Sequence, residues 1–284
     1  MSKSSLVCLA LLMLAPHFAH AAQSYDNCVG FIDTVPAVIS TQGTWCLRHD
    51  LGTAITSGNA VTVATSNVTI DCNDFKLGDL AAGTGTQAIG IQATNQLNIT
   101  IRQCNVRGFY IGMRLQGSGG GGHTVEDNRL DDNTSLGMDV EGDGSVVRRN
   151  RVLDTGGSTV AASAAGILTY RSVDLLDNTV SGVSARTGSN GYAQGIIVQA
   201  NPDGQITGNR VRGLAKDGTG STLAIASSVS GAITLSVNAI DGDSSVGSVG
   251  IQCSNTAGRA RDNEISGFAI GISGCANVSG NDIH

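Results

Sequence analysis

Arg114 and Asp139 are the residues of this sequence best suited to do chemistry together, with Glu141, Asp143, Tyr170 and Arg171 close behind and Gln92 ahead. Carboxylates in such a set could act as acid and base, or hold calcium through hard oxygen ligands. An arginine could bind a uronate or abstract a proton. Together these suit an extended sugar chain. The plainer account of Arg114 and Asp139 is a cross-strand ion pair, worth well under ~1 kcal/mol if exposed. Which account holds depends on the elements that carry them.

Those elements come from a repeat. The phrase apolar-x-x-Asn-x-apolar occurs at Ile70–Asn73–Phe75, Val125–Asn128–Leu130, Val147–Asn150–Val152 and Leu175–Asn178–Val180, and continues through Asn209, Asn238, Asn263 and Asn281. At Ile101–Cys104–Val106 the frame holds but Cys replaces Asn. A second phrase, Gly-Ile or Gly-Met, precedes most anchors, at Gly90, Gly112, Gly137, Gly166, Gly195, Gly250 and Gly271, with Ala224-Ile225 as the missing member. Apolar residues alternate with period two, β-branched types are common, and Gly interrupts regularly, so helices are a poor reading. A unit with three short strands is one coil of a parallel β-helix, which buries its inner face only when stacked. The Asn at each corner is expected to take the left-handed backbone of a tight bend and to hydrogen-bond to the Asn above and below.

In the Gly-Ile strands the residue after Ile or Met should point outward. That file runs Gln92, Arg114, Asp139, Leu168, Ile197, Ala226, Gln252, Ser273, and is strongly polar only at its start. Long loops at 78–89, 155–165 and 183–194 flank short ones at 109–111 and 133–136, which predicts a trough with Arg114 and Asp139 on its floor. A second charged file, Arg129, Arg151, Arg210 and Glu264, reads as a solvated ladder on the coil surface. His123 follows the run GSGGGG, expected to be a flexible loop and a poor place for a catalytic His; His49 and His284 are isolated. The chain carries no Ser-His-Asp set, phosphate loop or EF-type calcium loop.

The Gly-Ile strand, the Asn corner and the entry GTWCLRHDL…VTVATSNVTIDCNDFKLG resemble the right-handed parallel β-helix proteins of the pectate-lyase-like superfamily. The resemblance covers roughly residues 43 to 284 and implies an all-β, right-handed single-stranded parallel β-helix of about nine coils. It says little about activity, because this architecture carries lyases, hydrolases, epimerases, adhesins and binding modules. Asp131-Asp132 resembles the paired aspartates of polygalacturonases. The other polygalacturonase motifs do not follow, nor do the arginine signature of pectate lyases or the Asp-Pro-His-Glu of alginate epimerases, so no activity is carried over.

Lys3, the short apolar run LVCLALLML and Ala19-His20-Ala21 read as a secretory leader over residues 1–21. The expected organisation is that leader, an entry segment with the first strands at 22–66, and the β-helix at 67–284, secreted or periplasmic. Six cysteines then remain. Cys28 and Cys46 flank the segment before the β-helix, and a bridge would close that loop, while neighbouring coils bring the Cα atoms of the other four into bridging range. This suggests Cys28–Cys46, Cys72–Cys104 and Cys253–Cys275; two stacked thiols are the alternative for the middle pair. No CxxC or His-rich spacing calls for a bound metal.

A net charge of −6 argues against nucleic acid, and gives no help with an acidic polymer unless calcium or a local Arg cluster intervenes. No later stretch is apolar enough to span a bilayer. The chain stops at NVSGNDIH, just after an anchor, so an exposed sheet end is expected, open to self-association or a capping partner. The function read from all this is binding, with cleavage as a further step, of an extracellular or envelope polysaccharide; an enzyme here would be a polysaccharide lyase or glycoside hydrolase. The competing class is a non-catalytic surface, adhesion or scaffold protein that presents its loops to a partner.

Overall fold

A computed structural model describes residues 25–199, 204–228, 233–254 and 258–284. The expected leader lies outside these residues. The described chain winds as a three-sided solenoid whose sheets contain 11, 10 and 10 strands, with every pairing between named strands parallel. One coil is representative. Ile111–Gln116 lies in the Gly-Ile sheet, Thr124–Glu126 in the sheet before the Asn corner, and Arg129–Asp131 in the sheet after it. The next coil repeats this with Leu136–Glu141, Ser145–Arg148 and Arg151–Leu153. A count of Asn anchors falls slightly short of the strands of the 11-stranded sheet because Cys28–Phe31 and Gly43–Cys46 pair into it without carrying the phrase.

Alternation sets the inside of the solenoid. Ile91, Met113, Met138, Ile167, Ile196, Ile225 and Ile251 form one inward file of the Gly-Ile sheet, all fully buried in one continuous core. Each such side chain contributes roughly 1.5–3 kcal/mol of burial. The glycine of the motif has a steric cause. A Cβ on Gly112 would come 2.6 Å from the Gly137 carbonyl oxygen and 2.8 Å from Leu130 Cδ2, so a side chain at this rung would press adjacent coils apart, although the same column accommodates Ala224 on a later coil.

The corner works as a continuous ladder. Asn128, Asn150, Asn178, Asn209 and Asn238 are buried, and the Nδ2 of each donates to Oδ1 of the Asn on the next coil at 2.9–3.1 Å. Asn263 extends it to Asn281 at 2.8 Å. Each Nδ2 also donates to a backbone carbonyl of the coil before it, as Asn150 does to Val125. The amide of Cys104 donates to Asn128 Oδ1, so the cysteine that replaces Asn stands at the head of the same column.

One expectation is corrected here. Along the ladder the left-handed residue is the one before Asn: Asp127, Arg149, Asp177 and Asp262 have φ of 55°, 54°, 55° and 51°, whereas at Asn73, ahead of the ladder, the Asn itself is left-handed with φ of 46°, as expected. The amide cannot both turn the corner and lie flat in the column, so its neighbour takes the bend.

Disulfides join Cys28–Cys46, Cys72–Cys104 and Cys253–Cys275, with Cα separations of 5.9, 4.7 and 4.9 Å. Such bridges fit an oxidising compartment. Among the described residues no helix is long and apolar enough to cross a membrane.

Candidate functional site

The register of the Gly-Ile sheet places Gln92 beside Arg114, Arg114 beside Asp139, Asp139 beside Leu168, and so on through Ile197, Ala226, Gln252 and Ser273. Inward neighbours on both sides of Arg114 and Asp139 turn these two onto the outer face. Arg114 Nε lies 3.4 Å from Asp139 Oδ2. Asp139 is nonetheless almost completely buried, at 1% exposure. Its Oδ2 accepts a 2.6 Å hydrogen bond from Gln116 Nε2, while Oδ1 has no hydrogen-bond partner among the described residues. Burial pushes this carboxyl up to about 6; Arg114 pulls the other way, and Glu141 adds to the rise. Desolvation therefore outweighs the guanidinium.

The neighbouring file completes the patch. Glu141 pairs in register with Tyr170; its Oε2 accepts from the Gly117 amide at 2.9 Å and its Oε1 from Arg171 Nε at 3.1 Å. The Tyr170 phenol is raised by burial and then by the charges of Asp139 and Glu141. Asp143 accepts from the Ser172 amide on the turn that follows, and its carboxylate is 3.9 Å from Arg171. Arg114, Asp139, Glu141, Tyr170 and Arg171 thus lie together in one patch with Asp143 at its margin. Gln92 is one coil away and donates to Thr94.

Sequence reasoning passed over two components. Gln116 follows Arg114 by two residues, and strict alternation would have found it. Ile89, Ile111 and Leu136 form an apolar cluster separate from the core, with Tyr110, Ala165 and Leu168 packed against it. Their place in the strand, before the glycine, hid them. Three of the four tyrosines of the chain sit on or beside this face: Tyr110 just before Ile111–Gln116, Tyr170 ending Ala164–Tyr170, and Tyr192 just before Ala193–Gln199.

The trough takes a different form from the one expected. The long loops do not stand apart: the Thr159 amide donates to the Thr84 carbonyl at 3.0 Å, so the two loops meet over the short ones. Beneath this strap is a cavity of about 370 Å³ lined by Leu80, Gly83, Thr84, Gly108, Asp132, Thr134, Asp154 and Gly156. Its floor lies at the corner before the Gly-Ile strands, whereas Arg114 and Asp139 lie further along theirs. Oxygen atoms of Asp131, Asp132 and Asp154 come within 4.8 Å of one another, a donor set that suits a hard cation such as calcium. Two of the three already face arginines, Asp131 with Arg129 and Asp132 with Arg107.

The glycine run is also not as expected. Gly121 bridges to Leu97, the Gly122 amide donates to the Asp143 carbonyl, and His123 is buried, its Nδ1 accepting from the Ile99 amide at 3.3 Å. Burial lowers the imidazole to about 4, which makes it a neutral structural residue.

Residues 53–270 match the family model of the right-handed β-helix region, and the chain belongs to that family. The stack is thus a right-handed parallel β-helix. No curated protein matches it. Among solved structures it is similar to a mutant tailspike protein of E. coli bacteriophage HK620 in complex with a pentasaccharide, at 11% identity and a TM-score of 0.44. That match covers 90% of this chain and 56% of the tailspike chain, so the chain spans a little over half its length. It is also similar to the A-module of the Azotobacter vinelandii mannuronan C-5 epimerase AlgE6, at 14% identity and a TM-score of 0.40, covering 87% of this chain and 84% of that one.

Proposed function

We propose that the outer face of the Gly-Ile sheet binds an extracellular or envelope polysaccharide, centred on Arg114, Asp139, Glu141, Tyr170 and Arg171. The observation that carries this reading is the gathering of Arg114, Glu141, Tyr170 and Arg171 on one outward face, with Asp139 buried beside Arg114. Partly exposed guanidiniums and a carboxylate there offer a sugar both donors and acceptors. Tyr170, in register with Glu141, and Tyr110, packed on the outward apolar cluster, supply flat apolar surfaces with polar rims, which suit pyranose rings. Arg114 and Arg171 favour a sugar that carries acid groups.

Cleavage is the second reading, favoured by the elevated pKa of Asp139. A carboxyl near 6 retains part of its proton in mildly acidic medium, and it becomes a general acid only where a bound chain moves Gln116 and Arg114 aside and uncovers it. Glu141, two residues on along the same face, stands about 6.6 Å further up the strand and is the second carboxylate.

The test is a glycan array and a polysaccharide-degradation screen of the protein, with Asp139→Ala and Arg114→Ala alongside. Binding that falls at least tenfold in both variants supports the site, and turnover in the parent lost in Asp139→Ala supports cleavage. Binding without turnover leaves a carbohydrate-binding module. If no glycan binds, the surface or scaffold class takes its place.

A further inference from the structure

The charged file after the Asn corner is not one uniform ladder. Toward the N-terminal end Arg129 pairs with Asp131 at 2.8 Å and Arg107, on the same face, with Asp132, whereas Arg151 is exposed with no ion pair among the described residues. Further along, on the strand Arg210–Ala215, Arg210 and Arg212 are both exposed, and neither guanidinium has a partner among the described residues. Register continues from Arg210 to Ala239 to Glu264, and from Arg212 to Asp241 to Ser266. Ala239 is the small member of its column, and beside it lies a groove of about 450 Å³. Val211 and Ile240, both in the core, close its floor.

We infer that this groove is a second binding site, separate from the Gly-Ile face, for an acidic carbohydrate. Arg210 and Arg212, about 7 Å apart on one strand, present two forks to a carboxylate or sulfate. Two coils away, about 10 Å on, Glu264 stands opposite, with Asp241 between and held by Ser266 Oγ at 3.0 Å. Carboxylates are acceptors only, so this end takes hydroxyl donors. A ligand with an acid group at one end and hydroxyls at the other meets both halves.

Other polymers fit less well. The strands of the groove are paired on both sides, so an extended peptide finds no free backbone edge to join. A polyphosphate places an anion at every step and would meet Asp241 and Glu264. A glycan in which acidic and neutral sugars alternate avoids that repulsion.

The intact protein is titrated calorimetrically with hyaluronan oligosaccharides (carboxylate only), chondroitin sulfate oligosaccharides (carboxylate and sulfate), neutral dextran oligosaccharides and polyglutamate. At least one acidic glycan is expected to bind, and which one tells carboxylate from sulfate. Its affinity should fall at least tenfold in the Arg210→Ala/Arg212→Ala double variant. It should fall as far in Ala239→Trp, which fills the groove and leaves every charge in place, with melting temperatures near the parent value. The titrations are repeated in the Arg114→Ala background, which disables the Gly-Ile face. Affinity that persists there and falls on adding Arg210→Ala/Arg212→Ala belongs to this groove, whereas affinity lost in Arg114→Ala alone belongs to the Gly-Ile face and overturns the assignment. Absence of acidic-glycan binding, equal binding of dextran or polyglutamate, or insensitivity to Ala239→Trp overturns the assignment.

Discussion

Arg114 Nε lies 3.4 Å from Asp139 Oδ2 on the adjacent coil, yet the aspartate side chain is 2% exposed and the arginine 29%. The pair straddles the boundary between water and protein. The charge left inside loses more hydration than a single misaligned guanidinium returns, so the carboxyl rises to about 6 despite its partner.

This shift has a sign that a pH titration reads. Because the folded pKa of Asp139 exceeds its unfolded value, its contribution to stability is complete below about 4 and is lost as pH rises through about 6. Buried Asp79, also raised to about 6, acts in the same direction. His123, lowered to about 4, acts in the opposite one: its contribution is present above about 6.5 and lost as pH falls through 4. These effects oppose each other in the parent. The difference between Asp139→Asn and the parent should therefore shift in favour of the variant between pH 4 and 7, by about 3 kcal/mol at most. Urea midpoints across that range measure it, and a constant difference refutes the burial-driven shift.

The Asn ladder should be sensitive at any rung. Asn150 accepts from the amide and Nδ2 of Asn128 and donates to Asn178 Oδ1 and Val125 O. Asn150→Ala strands these buried groups and should cost about 3 kcal/mol or more, whereas Arg151→Ala, exposed on the next residue, should stay within ~0.5 kcal/mol. Equal denaturation midpoints for the two variants contradict the ladder's role.

Removing the Cys72–Cys104 bridge, with its separation of 32 residues, should cost roughly 3–4 kcal/mol through chain entropy. Cys72→Ser/Cys104→Ser should melt well below the parent, and a reductant should lower the parent's melting temperature. An unchanged melting temperature in the variant removes the bridge from the account of stability.

Gly112 should resist even the smallest side chain. Gly112→Ala drives a Cβ against the Gly137 carbonyl and Leu130 and should cost on the order of 2 kcal/mol or more. Gly52→Ala, where nothing lies within 4 Å, is the matched control and should be near neutral. Comparable melting temperatures for the two would mean that the coils can move apart.

Much of this was legible in the chain because stacking turns sequence period into spatial column. Asn128, Asn150 and Asn178 announce their own column, Gly112 and Gly137 theirs, and the outward file from Gln92 to Ser273 follows from alternation alone. Cys72 with Cys104 and Cys253 with Cys275 paired by the same logic, since residues at one corner of successive coils must be neighbours.

Loops carry no such period, and there the sequence was silent. Loop lengths suggested walls on either side of Arg114 and Asp139; only the folded chain brings Thr159 to Thr84 and makes a strap over Asp132 and Asp154. Burial was equally hidden. Asp139 and Glu141 read alike as outward carboxylates, but Asp139 lies under its neighbours with one oxygen unanswered, while Arg171 and the Gly117 amide meet Glu141. Period and alternation, set by the covalent geometry of a strand, determined which residues share a column. The depth of each side chain, and so its charge and its capacity to bind, was decided by what the loops and adjacent coils laid over it.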